Sequence, residues 1–188
     1  VHISTDFVFD GEGCRLYTET DEPAPLNVYG RSKLAGEEQL LKTVASCCII
    51  RVEWTYGASG NNFVNKILTL AGQRKSLRVV DDQVGSPTWT LEAGRAVLSL
   101  IDKEARGLFH FAADGYASRY EVATYILEYT GSDTEVLPCG SDEFPTPAQR
   151  PVNSRFNCDK IKACLDEPVK HWKVPLGEYL ELLAKDRA

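Results

Sequence analysis

The sequence predicts an α/β protein, the later part of a doubly wound parallel sheet joined to a smaller α+β lobe. Three observations carry this. Short apolar runs alternate with helix-like stretches along most of the 188 residues. Cys47 to Val52 reads as a nearly continuous apolar run, the pattern of a strand covered on both faces. Ser118-Arg119-Tyr120-Glu121 has the form of a capping box that opens a helix.

Taken in order, Val1 to Phe9 begins as an apolar strand and breaks at the turn-rich Asp10-Gly11-Glu12-Gly13. A polar loop runs to Pro25, and Asn27 then caps a helix to about Ala45, with Leu34, Leu41 and Val44 spaced for a buried face. After the strand at Cys47 to Val52, a helix is expected from Phe63 to Leu70, ending near Gly72. A strand follows at Leu77 to Val80, a helix at Leu91 to Ile101 and a strand at Leu108 to Ala112. The capping-box helix runs to about Thr130, with a short strand at Glu135 to Leu137 beyond it. A proline-rich segment from Pro145 to Pro151 precedes two short helices near Asp159 to Leu165 and Leu176 to Ala184. Irregular spacing after Asp81 divides the chain into residues 1–80, the remainder of the sheet domain, and 81–188, mainly the smaller lobe, with segments that interleave.

A net charge of -6 and a pI near 5.2 argue against nucleic-acid binding, which favours a basic stripe. The longest uncharged apolar run, around Val44 to Ile50, is too short to span a bilayer, and no basic start with an apolar segment suggests a signal peptide. Cys14, Cys47, Cys48, Cys139, Cys158 and Cys164 show neither a CxxC spacing nor matched histidines, so reduced thiols in a cytoplasmic protein are expected and no metal site. The chain has no methionine, and Val1-His2-Ile3 reads as a strand already under way. The expectation is therefore a piece of a longer protein.

Tyr29 and Lys33 are spaced to share one face of a helix. A phenol is a poor proton donor and acceptor pair at neutral pH, and an ammonium one turn away favours its ionised form. Thr5 lies where a strand ends and a loop begins, the edge at which doubly wound sheets bind ligands. Such a pair alone is common by chance; its context gives it weight. His2, His110 and His171 lie far apart and read as structural. Trp89 and Trp172 read as packing residues, Asp81-Asp82 as either a substrate contact or a turn, and Arg150 as either a diphosphate contact or a surface residue.

Beyond spacing, the residues resemble a known family. Ser4 to Gly11, Pro25 to Glu37, Arg51 with Trp54-Thr55-Tyr56-Gly57, Asn61 to Val64, Asp82 to Thr88 and Arg150 to Ser154 are similar to the dTDP-4-dehydrorhamnose reductases. These belong to the extended short-chain dehydrogenase/reductase superfamily. The resemblance implies an NAD(P)-binding Rossmann-like sheet and an NADPH- or NADH-dependent reduction of a nucleotide-linked keto sugar. It implies Tyr29 as proton donor to the C4 oxygen, Lys33 at the nicotinamide ribose and as the cation that tunes Tyr29, and Thr5 as the third catalytic member. Asp6, Phe7 and Trp54 match positions that meet the sugar nucleotide, and a homodimer is left open.

Two positions depart from the family pattern. Phe7 stands where tyrosine is common, and Glu53 where a small polar residue is common; either change bears on substrate choice. Gly11-Glu12-Gly13 does not continue into a phosphate loop, because Leu16 occupies the third glycine's place and no helix follows promptly. The front of the sheet, on the order of 100 residues at roughly 30 or more per βαβ unit, is expected to precede this stretch, so the chain by itself should bind cofactor weakly or not at all. Three other readings stay open: a nucleotide-sugar epimerase or dehydratase, a non-catalytic regulatory or nucleotide-sugar-binding subunit, and an inactive folded remnant.

Overall fold

The computed structural model describes residues 1–144 and 147–185; of the proline-rich segment, Pro145 and Thr146 lie outside the described residues. Three parallel strands form the central sheet in the order β1-β2-β7: β1 (His2–Thr5), β2 (Cys48–Val52) and β7 (Gly107–Phe111). Their register aligns Thr5 with Val52 and Val52 with Phe111, so the three carboxyl ends form one level edge. A second parallel pair joins β4 (Ser76–Val80) to β9 (Glu135–Cys139). Pro138 is tolerated in β9 because a strand with a single neighbour has one edge that needs no N–H donor. The two-residue strands β3 (Thr55–Tyr56) and β6 (Thr88–Trp89) pair in parallel, and β5 (Val84–Gly85) and β8 (Ala117–Ser118) pair antiparallel. These short strands carry no periodic signal, which is why the sequence did not disclose them.

Among the described residues six α-helices fill the intervals: α1 (Val28–Thr43), α2 (Phe63–Ala71), α3 (Thr90–Asp102), α4 (Arg119–Tyr129), α5 (Asp159–Lys162) and α6 (Lys173–Lys185). Asn27 caps α1 and the Ser118–Glu121 capping box opens α4, both as the sequence predicts. Pro175 sits in the first turn of α6, where a missing N–H costs nothing.

One core cluster lies against the central sheet and includes Val8, Phe9, Ile50, Leu100, Phe109 and Phe156. The other packs α2, α4 and α6 around Leu77 and Val79 of β4. Residues 107–111 and Phe156 therefore complete a core begun by the first fifty residues.

The predicted buried face of α1 needs correction. Leu34 packs on the core, but Leu41 is 54% exposed and Val44 41% exposed. The helix instead buries Gly30 and Glu37. Its contact with the sheet is thus a close backbone approach and a buried ion pair, not an apolar stripe. The six cysteines are all free; Cys48, Cys139 and Cys158 are buried, Cys47 and Cys164 half-buried, and Cys14 is exposed, outside any core.

Candidate active site

At the end of β1 the chain turns through one 3-10 turn, Asp6–Val8. Thr5 fixes that turn: its Oγ1 accepts from the Phe7 N–H at 3.3 Å and donates to Asp6 Oδ1 at 3.0 Å. The other Asp6 oxygen, Oδ2, accepts from Ser154 Oγ at 2.6 Å, tying the turn to a segment nearly 150 residues away. Thr5 and Asp6 are both buried. Burial raises the Asp6 carboxyl above its ordinary range, against the bonds from Ser154 and Thr5 and the charge of Arg119.

The start of α1 is pressed onto this turn. Asn27 Oδ1 accepts from the Gly30 N–H at 2.9 Å, and its Nδ2 donates to the Gln149 carbonyl at 2.8 Å. A side chain on Gly30 would place its Cβ 2.1 Å from the Phe7 carbonyl oxygen, so only glycine permits this approach. The neighbouring Tyr29 ring consequently meets the Phe7 ring edge-on, at 5.6 Å between centroids. Tyr29 stays 53% exposed. One turn on, Lys33 Nζ donates to the Ile3 carbonyl of β1 at 2.5 Å. A further turn on, Glu37 takes the Arg51 guanidinium of β2 in a buried pair: Nε to Oε1 at 2.9 Å and Nη2 to Oε2 at 2.6 Å. Tyr29, Lys33 and Glu37 share one helical face, so the buried pair sets the rotation at which α1 presents the other two.

The opposite wall begins where β2 ends. Trp54 has a φ of 44°, uncommon for a residue with a side chain, and its indole lies under the Arg119 guanidinium at 3.5 Å. Arg119 is half-buried at the first position of α4. Burial brings its pKa down to about 9, helped by Arg150 and opposed by Asp6 and Glu53, and it keeps its charge at neutral pH. Just before Trp54, Glu53 is fully buried and its Oε2 accepts from the Ser86 N–H at 3.1 Å. Burial, then the charge of Asp6, pushes its carboxyl well above the ordinary range, and the backbone of Ser86 and Phe156 and the charge of Arg119 only partly offset this.

Between the walls lies a cleft of about 340 Å³. Thr5, Asp6, Phe7, Tyr29, Lys33 and Trp54 all line it, and so does Arg119. The six site residues singled out in the sequence are thus brought together, from positions up to 49 residues apart, counting from Thr5 to Trp54. Arg119 was missed: in the sequence it is one letter of a capping box, and nothing there pairs it with a tryptophan on another strand. Ser154 was missed for the same reason. Arg150 stands exposed at the rim, 6.0 Å from the Phe7 ring centre. Asp81 and Asp82 serve turns, accepting from Ser118 Oγ at 2.5 Å and from Ser141 Oγ at 2.6 Å. His110 is buried and structural, with its Nδ1 bonded to the Tyr17 carbonyl at 3.1 Å, and Trp89 and Trp172 are core residues.

Gly11 takes a φ of 78° and packs on Pro151 and Val152, and the next helix begins only at Val28, so this turn lacks the form of a phosphate cradle. Among the described residues, an exposed phenol and an ammonium stand beside the carboxyl edge of a parallel sheet, the place where such sheets bind ligands.

Residues 1–185 match the family model described as the RmlD substrate binding domain. The chain belongs to that family. The spore coat polysaccharide biosynthesis protein SpsK of Bacillus subtilis is 41% identical over 181 residues, which are 96% of this chain and 63% of that protein. Among solved structures, a dTDP-4-dehydrorhamnose reductase from Clostridium acetobutylicum superposes with a TM-score of 0.92 at 40% identity, over 97% of this chain and 65% of that one. The dTDP-4-dehydrorhamnose reductase of Bacillus anthracis, solved in complex with NADP, gives a TM-score of 0.92 at 34% identity, over 96% of this chain and 64% of that one. The chain therefore spans just under two thirds of these relatives. As an RmlD-family chain it has the Rossmann-like α/β fold expected from the sequence.

Proposed function

We propose that this chain is the catalytic and substrate-binding part of an NAD(P)H-dependent reductase of dTDP-4-dehydro-6-deoxysugars, converting dTDP-4-dehydrorhamnose to dTDP-L-rhamnose. The observation that supports this most is the meeting of Tyr29, Lys33 and Thr5 in one cleft at the carboxyl edge of β1 and β2. Family membership and the NADP-bound relative point the same way. Residues 1–80 then hold the catalytic groups beside the cofactor, and 81–188 mainly hold the sugar nucleotide.

In this reading Tyr29 donates its phenolic proton to the C4 oxygen, and the carbonyl becomes a secondary alcohol. Lys33, one turn behind, holds the ribose of the nicotinamide and favours the phenolate left on Tyr29. Thr5 orients the reacting oxygen once its hydroxyl turns from Asp6. The bound NAD(P)H supplies the hydride that the carbon receives. Arg119, on the Trp54 ring, and Arg150, beside the Phe7 ring, bring two guanidinium groups to the cleft in a chain that is acidic overall, and a diphosphate suits both. Without the glycine-rich half of the cofactor site, residues 1–188 alone turn over poorly or not at all.

The test uses the full-length protein with dTDP-4-dehydrorhamnose and either NADPH or NADH. One nicotinamide oxidised per sugar reduced supports the reading. Product formed with no net oxidation points to an epimerase or dehydratase. No turnover, together with retention of a partner enzyme, points to a regulatory subunit.

A further inference from the structure

Beneath the cleft floor Glu53 is 0% exposed, yet its carboxyl is only half engaged. Oε2 accepts the Ser86 N–H, whereas Oε1 makes no hydrogen bond of ordinary geometry among the described residues, and the Phe156 backbone offers the carboxyl only a weaker contact. The register that aligns Thr5 with Val52 puts Glu53 level with Asp6. Gly85 of β5 closes over it so tightly that a Cβ there would stand 2.6 Å from Glu53 Oε2 and 2.7 Å from the Trp54 ring. The ionisable groups facing Glu53 come from four segments: Asp6 after β1, Arg119 at the start of α4, Tyr116 before β8 and Cys158 before α5. Arg119 is the only cation of these, with Arg150 beyond it.

One cation balances one carboxylate. Asp6 has a hydroxyl donor on each oxygen, Thr5 on Oδ1 and Ser154 on Oδ2, which is how a buried carboxylate keeps its charge. Glu53 has no side-chain donor, and its Oε1 makes no hydrogen bond of ordinary geometry among the described residues. We propose that Glu53 is a positioning residue, a buried neutral acid that leaves Asp6 as the single negative charge under the cleft and so keeps the Arg119 guanidinium in place on the Trp54 face. The raised carboxyl of Glu53 agrees with this assignment. Were Glu53 to ionise, a second charge would compete for Arg119, draw it off the Trp54 face and repel a diphosphate. The proposal deepens the reductase reading, and its kinetic half rests on that reading.

The direct test is infrared spectroscopy of the full-length protein at neutral pH. A carboxylic-acid carbonyl band is expected, shifted by labelling with carbon-13 glutamate and missing in Glu53→Gln. Absence of the band, or a band that shifts with labelled aspartate instead, overturns the proposal whether or not the protein turns over a sugar. The second readout is the pH profile of kcat/KM for the keto sugar. Loss of the Arg119 charge gives parent and variant alike an alkaline fall, so the comparison decides: a fall that begins at lower pH in the parent than in Glu53→Gln supports the role, and superimposable profiles contradict it. If no sugar is turned over, the reductase reading fails while the infrared result still decides the state of Glu53.

Discussion

Tyr29 is more than half exposed beside a buried Thr5–Asp6 pair, and that contrast assigns different tasks to residues that line one cleft. The exposed phenol is free to meet a substrate oxygen; the buried pair is bonded within itself until, in the proposed mechanism, the Thr5 hydroxyl turns to that oxygen. Arg119 sits between these extremes, half-buried with its flat guanidinium on Trp54. In the proposed reading it holds a phosphate-bearing ligand, so Arg119→Ala should raise KM for the sugar nucleotide by about tenfold or more, the scale of one charge-assisted contact. Arg119→Lys should not restore it, because an ammonium lacks the fork and the stacking face. Steady-state kinetics on the full-length variants checks both, and a Lys variant equal to the parent would show that only charge matters.

At the scale of elements, α1 carries the proposed catalytic face, Tyr29 and Lys33, and is held by two unlike contacts. Gly30 lets it touch the turn after β1, and Glu37 locks it to Arg51 of β2. Gly30→Ala should lift the N-terminus of α1 off the Phe7 carbonyl, lowering turnover much more than stability; kinetics and denaturant unfolding side by side test this. Glu37→Gln leaves a buried guanidinium without its countercharge and should cost about 3–5 kcal/mol, the usual penalty for breaking a buried pair. A loss below about 1 kcal/mol in urea unfolding would contradict the buried pair. These contacts explain what the sequence concealed. A helix read for an apolar stripe showed Leu41 and Val44, yet its real anchor is one glycine and one acid, neither of which has a periodic signature. The caps at Asn27 and Ser118, by contrast, were legible because capping is a local rule that needs no tertiary partner.

For the whole molecule, the α/β alternation and the strand at Cys48–Val52 were readable because long elements buried on both faces impose their pattern on the sequence. The cleft was readable only where its residues cluster, at Thr5–Phe7, Tyr29–Lys33 and Glu53–Trp54; Arg119 and Ser154 reach it through folding alone. Buried ionisable groups also make global stability depend on pH. His110, buried beside Arg51, has its pKa lowered from 6.5 to about 3, chiefly by burial. Below pH 6.5 the unfolded chain takes up a proton that the folded chain refuses, so this residue's contribution to stability is lost as pH falls from 6.5 towards 3. The slope approaches about 1.4 kcal/mol per pH unit. Asp6 and Glu53, both raised, act in the opposite sense, their contribution falling as pH rises through their folded-state values. Unfolding free energies of the parent and of His110→Gln should therefore converge as pH falls below 6.5; a constant difference would contradict a neutral buried His110.

The claim on which the account turns is that Tyr29 delivers the proton. Its most direct test is single-turnover reduction of dTDP-4-dehydrorhamnose by the full-length protein and its Tyr29→Phe variant, with the fold verified by circular dichroism. The account predicts a rate about 10²–10⁴-fold lower in the variant, the range for loss of a general acid. A rate within a few-fold of the parent would contradict it and move the proton donor elsewhere in the cleft.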